Sequence, residues 1–210
     1  MNRLVIAAVL VILSGCAFGP KRVDSSRTEG PDKSYTVDLP VGWISQVTYH
    51  SRLLVSRDGP PLEYILITKT SLKTAFPKTK KAASETMLPA ELAELQIAEI
   101  KSEDQYTAAL TVAENEPAEI AGHQGFRFRV RYKNNRGLEI QRVAYGFAEK
   151  SDYYQVQFGA PTLYYFDRYY PDFQKTVASF QLSDSNKKTS ALKSQRLLSE
   201  NLTRSNWTGH

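Results

Sequence analysis

The sequence is short of the side chains that carry most protein chemistry. Its 210 residues include one cysteine, three histidines and two methionines. The lone Cys16 cannot close an internal disulfide, and no pair of His or Cys residues has the spacing of a zinc site. Neither a Gly-x-Ser-x-Gly motif nor a glycine-rich phosphate loop is present. We therefore expect no metal and no cofactor.

The histidines are poorly placed for a catalytic triad. His210 is the last residue, His50 lies near the end of a predicted strand, and His123 lies in a glycine-containing turn. The carboxylates are scattered, so no acid–base pair stands out. The sequence thus predicts no catalytic residue and favours a non-enzymatic protein. The alternative is an envelope hydrolase with a site that cannot be recognised from sequence.

Long hydrophobic runs are also absent. The longest covers residues 4–13, which is too short to cross a bilayer as a helix. It follows Arg3 and ends at Leu13-Ser14-Gly15-Cys16, which is the pattern of a secretory signal. An ordinary signal peptide or an uncleaved anchor would give a similar pattern.

The four residues ending at Cys16 resemble a bacterial lipobox. The resemblance implies a signal peptide over residues 1–15, cleavage between Gly15 and Cys16, and a diacylglyceryl group on Cys16. The protein would then be held on a membrane outside the cytoplasm, in the cell envelope. Ala17, rather than Asp, follows the cysteine, which by the same resemblance favours the outer membrane.

The excess of positive charge lies outside the central part of the chain. The net charge is +5, but residues 34–182 contain equal numbers of basic and acidic side chains. A neutral domain lacks the basic footprint of a nucleic-acid-binding protein. We therefore expect no nucleic-acid partner.

Composition divides the mature chain into three parts. Residues 16–33 contain Gly, Pro and Ser without an apolar period, which is typical of a flexible tether. Residues 34–182 have the apolar content of a single domain. Residues 183–210 are basic and rich in Ser, Lys and Asn, and are predicted to be disordered.

Hydrophobic periodicity predicts an α+β domain. Helical spacing indicates a helix from Pro89 to Lys101 and a second one over residues 166–180, which Pro171 interrupts. Between and before them, the pattern indicates six to seven antiparallel strands with two main helices on the sheet faces. The predicted strands cover residues 34–39, 47–55, 63–70, 107–113, 126–133, 138–149 and 153–158.

Three segments resemble the PsbP/DcrB-like domain: SYTVDLPVGW, PAEIAGHQGFRFRV and DFQKTVASF. The resemblance extends over about residues 34–182. It implies an antiparallel sheet between helices and a binding or assembly role, and it brings no catalytic residue.

The strand at 126–133 alternates strictly. Aromatic and apolar residues face one side, and the other side carries Arg127, Arg129, Arg131 and Lys133. One interpretation is a surface for an anionic partner. The other is a solvated strand face paired with nearby acidic residues such as Glu139 and Glu149. In either case, Arg129→Glu is expected to cost little stability.

Aromatic residues suggest a second candidate. Trp43, Tyr164 and Tyr165 could line an apolar groove with polar tips, or could simply pack the helix onto the sheet. The partners predicted from the whole sequence are the membrane, through the lipid, and an envelope protein or small ligand.

Overall fold

A computed structural model describes residues 19–183, and every structural statement below concerns that range. The predicted signal peptide, Cys16 and residues 184–210 of the predicted tail lie outside the described residues. Within the range, the chain forms a mostly antiparallel main sheet, a small second sheet and two main helices. The α+β prediction is therefore confirmed.

The elements follow one another in a simple order. The strands before the first helix are β1 (Lys21–Arg22), β2 (Arg27–Glu29), β3 (Tyr35–Asp38), β4 (Ile44–Thr48), β5 (Arg52–Ser56) and β6 (Tyr64–Ser71). Helix α1 (Pro89–Lys101) is followed by β7 (Thr111–Ile120), β8 (His123–Lys133), β9 (Glu139–Glu149), β10 (Asp152–Pro161), helix α2 (Asp167–Ser179) and β11 (Gln181–Leu182).

The main sheet has eight strands, in the order β1-β4-β5-β6-β10-β9-β8-β7, and the small sheet has the order β11-β3-β2. The predicted six to seven strands were too few. The segment at 47–55 is a hairpin of two strands, turned at His50 and Ser51, which both have positive φ. No glycine or proline marks that turn, so it could not be recognised from the sequence.

The prediction of a flexible tether is wrong for residues 19–33. Strand β1 pairs with β4, and β2 pairs with β3. Val23 is 5% exposed, and Arg27 donates hydrogen bonds to Asp38, Thr36, Gln181 and the carbonyl of Ser179. Strands of two or three residues are too short to show an alternating pattern, so composition alone suggested a linker.

The helices match the sequence more closely. Helix α1 has the predicted bounds, and the Glu91 carboxylate accepts a hydrogen bond from the backbone N–H of Leu88 at its start. Helix α2 is not split at Pro171. Because α2 begins at Asp167, the missing N–H of Pro171 removes only the bond to the first helical carbonyl.

Each face of the main sheet has its own core. On one face, α1 and the loop before it cover Phe126, Phe128, Val130 and Tyr153. On the other, α2 and the small sheet cover a larger cluster that includes Trp43, Ile65, Ile67, Val143, Phe147, Val156, Phe158 and Phe173. We call these the α1 face and the α2 face.

Strand β7 lies at the edge of the main sheet beside β8. It extends beyond the predicted end at residue 113, through Pro117, to Ile120. Proline fits there because an edge strand has one row of backbone groups without a neighbour. The predicted hairpin turn at 134–137 is confirmed, with Gly137 at positive φ and a hydrogen bond from Asn134 N to Leu138 O.

Candidate functional site

The basic strand alternates as the sequence indicates. Phe126, Phe128 and Val130 are fully buried on the α1 face. The cationic side chains of β8 therefore project from the other face of the sheet, the α2 face. They do not form one continuous surface, because α2 and the π-type turn before it (Thr162–Phe166) cover the beginning of the row.

Arg127 is enclosed in a local network. Its guanidinium donates to the carboxylates of Glu114 and Glu116 on β7 and to the Tyr170 hydroxyl of α2. Its side chain is only 14% exposed. Burial by itself would lower the pKa of Arg127, but the hydrogen bonds with Tyr170 and Glu114 outweigh it and raise that pKa. Arg127 is thus a fixed structural cation.

Arg129 is also engaged. Its guanidinium lies over the rings of Phe166 and Tyr170, at 5.5 and 5.4 Å from their centroids. Its Nε lies 3.4 Å from Glu114 Oε1, but without hydrogen-bond geometry. The acidic partners of this strand are therefore Glu114 and Glu116.

The acidic partners predicted from sequence have other contacts. Glu139 accepts a hydrogen bond from Thr162, and Glu149 lies against His123. Glu139 does lie directly opposite Lys133 in the β8–β9 register. The prediction missed Glu114 and Glu116 because the predicted strand ended at residue 113, before these two carboxylates.

Arg131 and Lys133 are exposed. They line a cleft of about 380 Å³ at the end of β7, β8 and β9, with Tyr106, Tyr132 and Glu139 among its other residues. Arg131 donates to Gln141 Oε1 at 3.3 Å and has no ion-pair partner among residues 19–183. We call this the basic cleft. It lies at the sheet margin: Arg131 and Lys133 project toward the α2 face, and Tyr132 projects toward the α1 face, where it packs on the α1 core.

Tyr132 is the more buried of the two tyrosines. Arg142 lies 5.1 Å from its ring centroid, and burial raises the pKa of its hydroxyl to about 12. It is therefore a neutral hydrogen-bonding wall of the cleft at physiological pH.

The three predicted groove aromatics do not share a groove. Trp43 is 1% exposed and packs edge-on against Tyr169 at 5.2 Å. Tyr164 is 57% exposed in the turn before α2, at positive φ, and contacts Tyr165 edge-on. Trp43 instead borders a separate cleft of about 370 Å³ with Arg57, Asp172 and Lys175.

The histidines do not assemble into a triad. His123 Nδ1 lies 3.2 Å from Glu149 Oε2, and its ring stacks on Phe147. His50 lies in the β4–β5 turn beside Tyr49. Neither borders the clefts described here, and no hydroxyl group within residues 19–183 forms a hydrogen bond with either imidazole. The hydrolase alternative gains no support from this part of the chain.

Metal ligands are equally dispersed. Residues 19–183 contain no group of three His, Cys, Asp or Glu side chains positioned to hold a metal ion. In the same range, no helix is both long and apolar enough to cross a membrane.

A polar cluster on the α1 face was missed by the sequence analysis. Thr68, Gln96, Glu99, Gln155 and Gln157 are all less than 9% exposed, and they border a cleft of about 190 Å³ between α1, β6 and β10. We call this the polar cleft. The signal was present in β10, where Gln155 and Gln157 alternate with apolar residues.

These features define an α+β sandwich that presents clefts at its surface, without a recognisable catalytic group in the described residues. A scan against models of protein families finds no match, and a search of curated proteins finds none either. Solved structures with the same fold do exist.

One is the cyanobacterial PsbP protein CyanoP of Synechocystis sp. PCC 6803, with a TM-score of 0.55 and 12% identity over 81% of this chain and 98% of that one. Another is the Ran-binding protein Mog1p of Saccharomyces cerevisiae, with a TM-score of 0.50 and 11% identity over 78% of this chain and 98% of that one. At such identities the likeness shows the fold alone. The chain has a PsbP/Mog1-like fold, as the sequence resemblance implied.

Proposed function

We propose that this chain is a lipid-anchored envelope protein that acts as a non-enzymatic binding module, and that the basic cleft holds an acidic segment of another envelope protein. The observation that carries the proposal is the position of Arg131 and Lys133. They are the exposed cations of β8, and they line a cleft with two tyrosines. The other two arginines of the strand are already engaged: Arg127 pairs with Glu114 and Glu116, and Arg129 packs against aromatic rings.

The fold supports a binding role. Mog1p is described as a Ran-binding protein, so this sandwich serves protein recognition in at least one similar structure. Fold alone does not define function. The cleft supplies the chemistry, because exposed cations beside aromatic rings attract carboxylates and also bury some apolar surface.

The anchor would hold the domain close to the membrane. Cys16 precedes the first paired residue, Lys21, by five positions, which span at most about 18 Å when fully extended. A lipid on Cys16 would therefore attach near the β1 edge of the main sheet.

The basic cleft lies toward the opposite edge. Six strand spacings separate β1 from β8, which at about 4.8 Å each is roughly 29 Å. That separation exceeds the reach of the five-residue link. The anchoring lipid itself therefore cannot occupy the cleft, and the comparison with anionic vesicles below tests the other head groups.

The binding proposal can be tested with the purified chain and a fluorescent oligoglutamate peptide. We expect saturable binding that weakens as salt is raised, and that is lost when Arg131→Glu and Lys133→Glu are combined. Lys150→Glu is the matched control, because Lys150 is 72% exposed and lies in the β9–β10 turn. Unchanged binding by the double variant would overturn the proposal. Stronger, cleft-dependent binding to anionic vesicles than to the peptide would also overturn it, in favour of lipid.

The anchor has its own test. Mass spectrometry of the mature N-terminus should show a diacylglyceryl-modified Cys16, and Cys16→Ala should leave the chain unlipidated and largely uncleaved. An unmodified cysteine, or cleavage at another position, would exclude the lipoprotein assignment. Fractionation of the inner and outer membranes then tests the preference for the outer membrane.

A further inference from the structure

The polar cleft has a floor of sheet residues and a wall from α1. In the register of the sheet, Gln155 on β10 lies directly opposite Thr68 on β6, and both face α1. Gln96 approaches from the helix. A sheet face covered by a helix is normally apolar, so this group of buried polar side chains needs a physical explanation.

Most of these side chains have partners. Gln157 Nε2 donates to the Tyr64 hydroxyl at 2.9 Å. Gln96 Oε1 accepts from the Tyr153 hydroxyl at 3.3 Å. These bonds fix the walls of the cleft and account for the cost of burying those groups.

Gln155 and Thr68 have no such side-chain bond within residues 19–183, and Gln155 is the one with a buried donor. Its residue is 7% exposed, and its Nε2 has no hydrogen-bond partner within the described residues. A buried donor without a partner costs about 1–3 kcal/mol. Because Gln155 borders the cleft, rotation of its amide group presents this donor to an oxygen atom of a molecule in the cleft.

Both carboxylates that border the cleft have partners, while its two cations, Arg52 and Lys78, are exposed and form no ion pair within residues 19–183. Glu99 accepts hydrogen bonds from the backbone N–H groups of Lys78 and Thr79, at 2.8 and 2.9 Å. Glu103 forms a two-pronged pair with Arg142, at 2.8 and 2.9 Å. The buried floor of the cleft, away from those exposed cations, offers a ligand an amide donor and a threonine hydroxyl, which suit uncharged oxygen atoms.

We infer that the polar cleft is a second binding site, for a small uncharged molecule rich in hydroxyl groups, of the size and chemistry of one sugar ring. Gln155 Nε2 donates to a ligand oxygen, and the Thr68 hydroxyl bonds to a neighbouring one. The cleft, at about 190 Å³, is smaller than the roughly 300–1,000 Å³ typical of pockets for drug-sized ligands. This site is independent of the basic cleft.

The test uses the full chain purified in detergent, with N-acetylglucosamine as the probe and saturation-transfer NMR as the readout. Wild type should bind the probe saturably. Gln155→Leu and Thr68→Val should each weaken binding about tenfold, the equivalent of one hydrogen bond. Gln124→Leu, at an exposed glutamine on β8, should leave it unchanged. Glucosamine and glucuronate, which carry opposite charges, should bind more weakly than the neutral sugar.

A measurement of stability shows whether weaker sugar binding by Gln155→Leu comes from a folding defect. If the amide of Gln155 is reserved for a ligand, Gln155→Leu will unfold in urea at or above the wild-type midpoint. A clear fall in the midpoint would mean that the amide serves the fold, and would overturn the inference. So would a lack of saturable sugar binding by wild type, equal binding of the charged sugars, or unchanged affinity in both cleft variants.

Discussion

Arg127 on β8 and Glu116 on β7 lie directly opposite each other in the sheet register, with Nη1 and Oε1 2.7 Å apart. The same guanidinium also contacts Glu114 and the hydroxyl of Tyr170, so it joins the edge strand to helix α2. The pair is a cross-strand contact. It lies on the part of the α2 face that helix α2 covers, next to the part that is exposed to solvent.

Arg127→Met should therefore destabilise the protein. The change keeps the aliphatic stem but removes several charge-assisted hydrogen bonds, with an expected loss of about 1–2 kcal/mol because the carboxylates can regain water. Arg131→Met is the matched control on the same strand, since Arg131 is exposed and has no ion pair among residues 19–183. Urea unfolding compares the two, and equal midpoints would show that the Arg127 network adds nothing.

The alternation of β8 gives a second prediction. Phe128 is completely buried under α1 and stacks on Phe126 at 5.6 Å. Phe128→Ala should cost about 3–5 kcal/mol, because it leaves a cavity that the packed sheet and helix cannot fill. Phe128→Leu, which retains most of the volume, should cost clearly less. A loss within about 0.5 kcal/mol for Phe128→Ala, typical of surface sites, would contradict the register of the strand.

Arg129→Glu should cost more than the sequence suggested. A glutamate at 129 would lie close to Glu114 and against the rings of Phe166 and Tyr170, where the guanidinium now packs. We expect a loss of about 1–3 kcal/mol from charge repulsion and lost packing. Arg129→Met removes the charge and keeps the stem, so it should recover part of the loss. If both variants match the wild-type midpoint in urea unfolding, Arg129 does not pack against the aromatic rings on the α2 face.

These arginines show what periodicity can and cannot establish. Alternation correctly assigned Phe126 and Phe128 to a core, because side chains on a strand point to opposite faces in turn. It did not show that the other face is also covered. Whether that face is covered depends on where helix α2 packs on the sheet, which is a tertiary contact that periodicity does not show. Only Arg131 and Lys133, beyond the helix, remain exposed.

The sites were harder to predict than the elements. Helix α1 was recognisable because thirteen residues carry an apolar face and an initial proline. The polar cleft depends on Thr68 and Gln155, which are far apart in sequence and meet only through the β6–β10 register. Unless the pairing of β6 with β10 is known, neither residue can be distinguished from an ordinary polar residue on a strand.

The N-terminal segment provides a further prediction. A chain that begins at residue 34 lacks β1 and β2, the buried side chain of Val23 and the hydrogen bonds of Arg27. Burial of one valine alone contributes about 1.5–3 kcal/mol. We expect a clearly lower unfolding midpoint than for a chain that begins at residue 19. Equal midpoints would restore the interpretation of residues 19–33 as a tether.

Asp32 allows the same segment to be tested by pH. Its carboxylate lies 3.1 Å from Lys69 Nζ and accepts hydrogen bonds from the hydroxyl and backbone N–H of Ser34, at 2.7 and 3.2 Å. Partial burial acts to raise the pKa of Asp32, but the bonds from Ser34 and Lys69 outweigh it and lower that pKa. The ionised form is therefore favoured in the folded state.

A lowered folded-state pKa fixes the direction of the pH effect. The contribution of Asp32 to the free energy of unfolding is complete above its unfolded pKa of about 4, and is lost as pH falls through the folded value. Asp32→Asn should therefore be less stable than wild type at neutral pH, and the difference should shrink steadily below about pH 4. Asp24→Asn, at an exposed position of the same segment, serves as the control and should show little difference at any pH. Urea unfolding at several pH values measures both. A difference for Asp32→Asn that persists unchanged into acid would mean that the carboxylate charge does not hold this segment against β6.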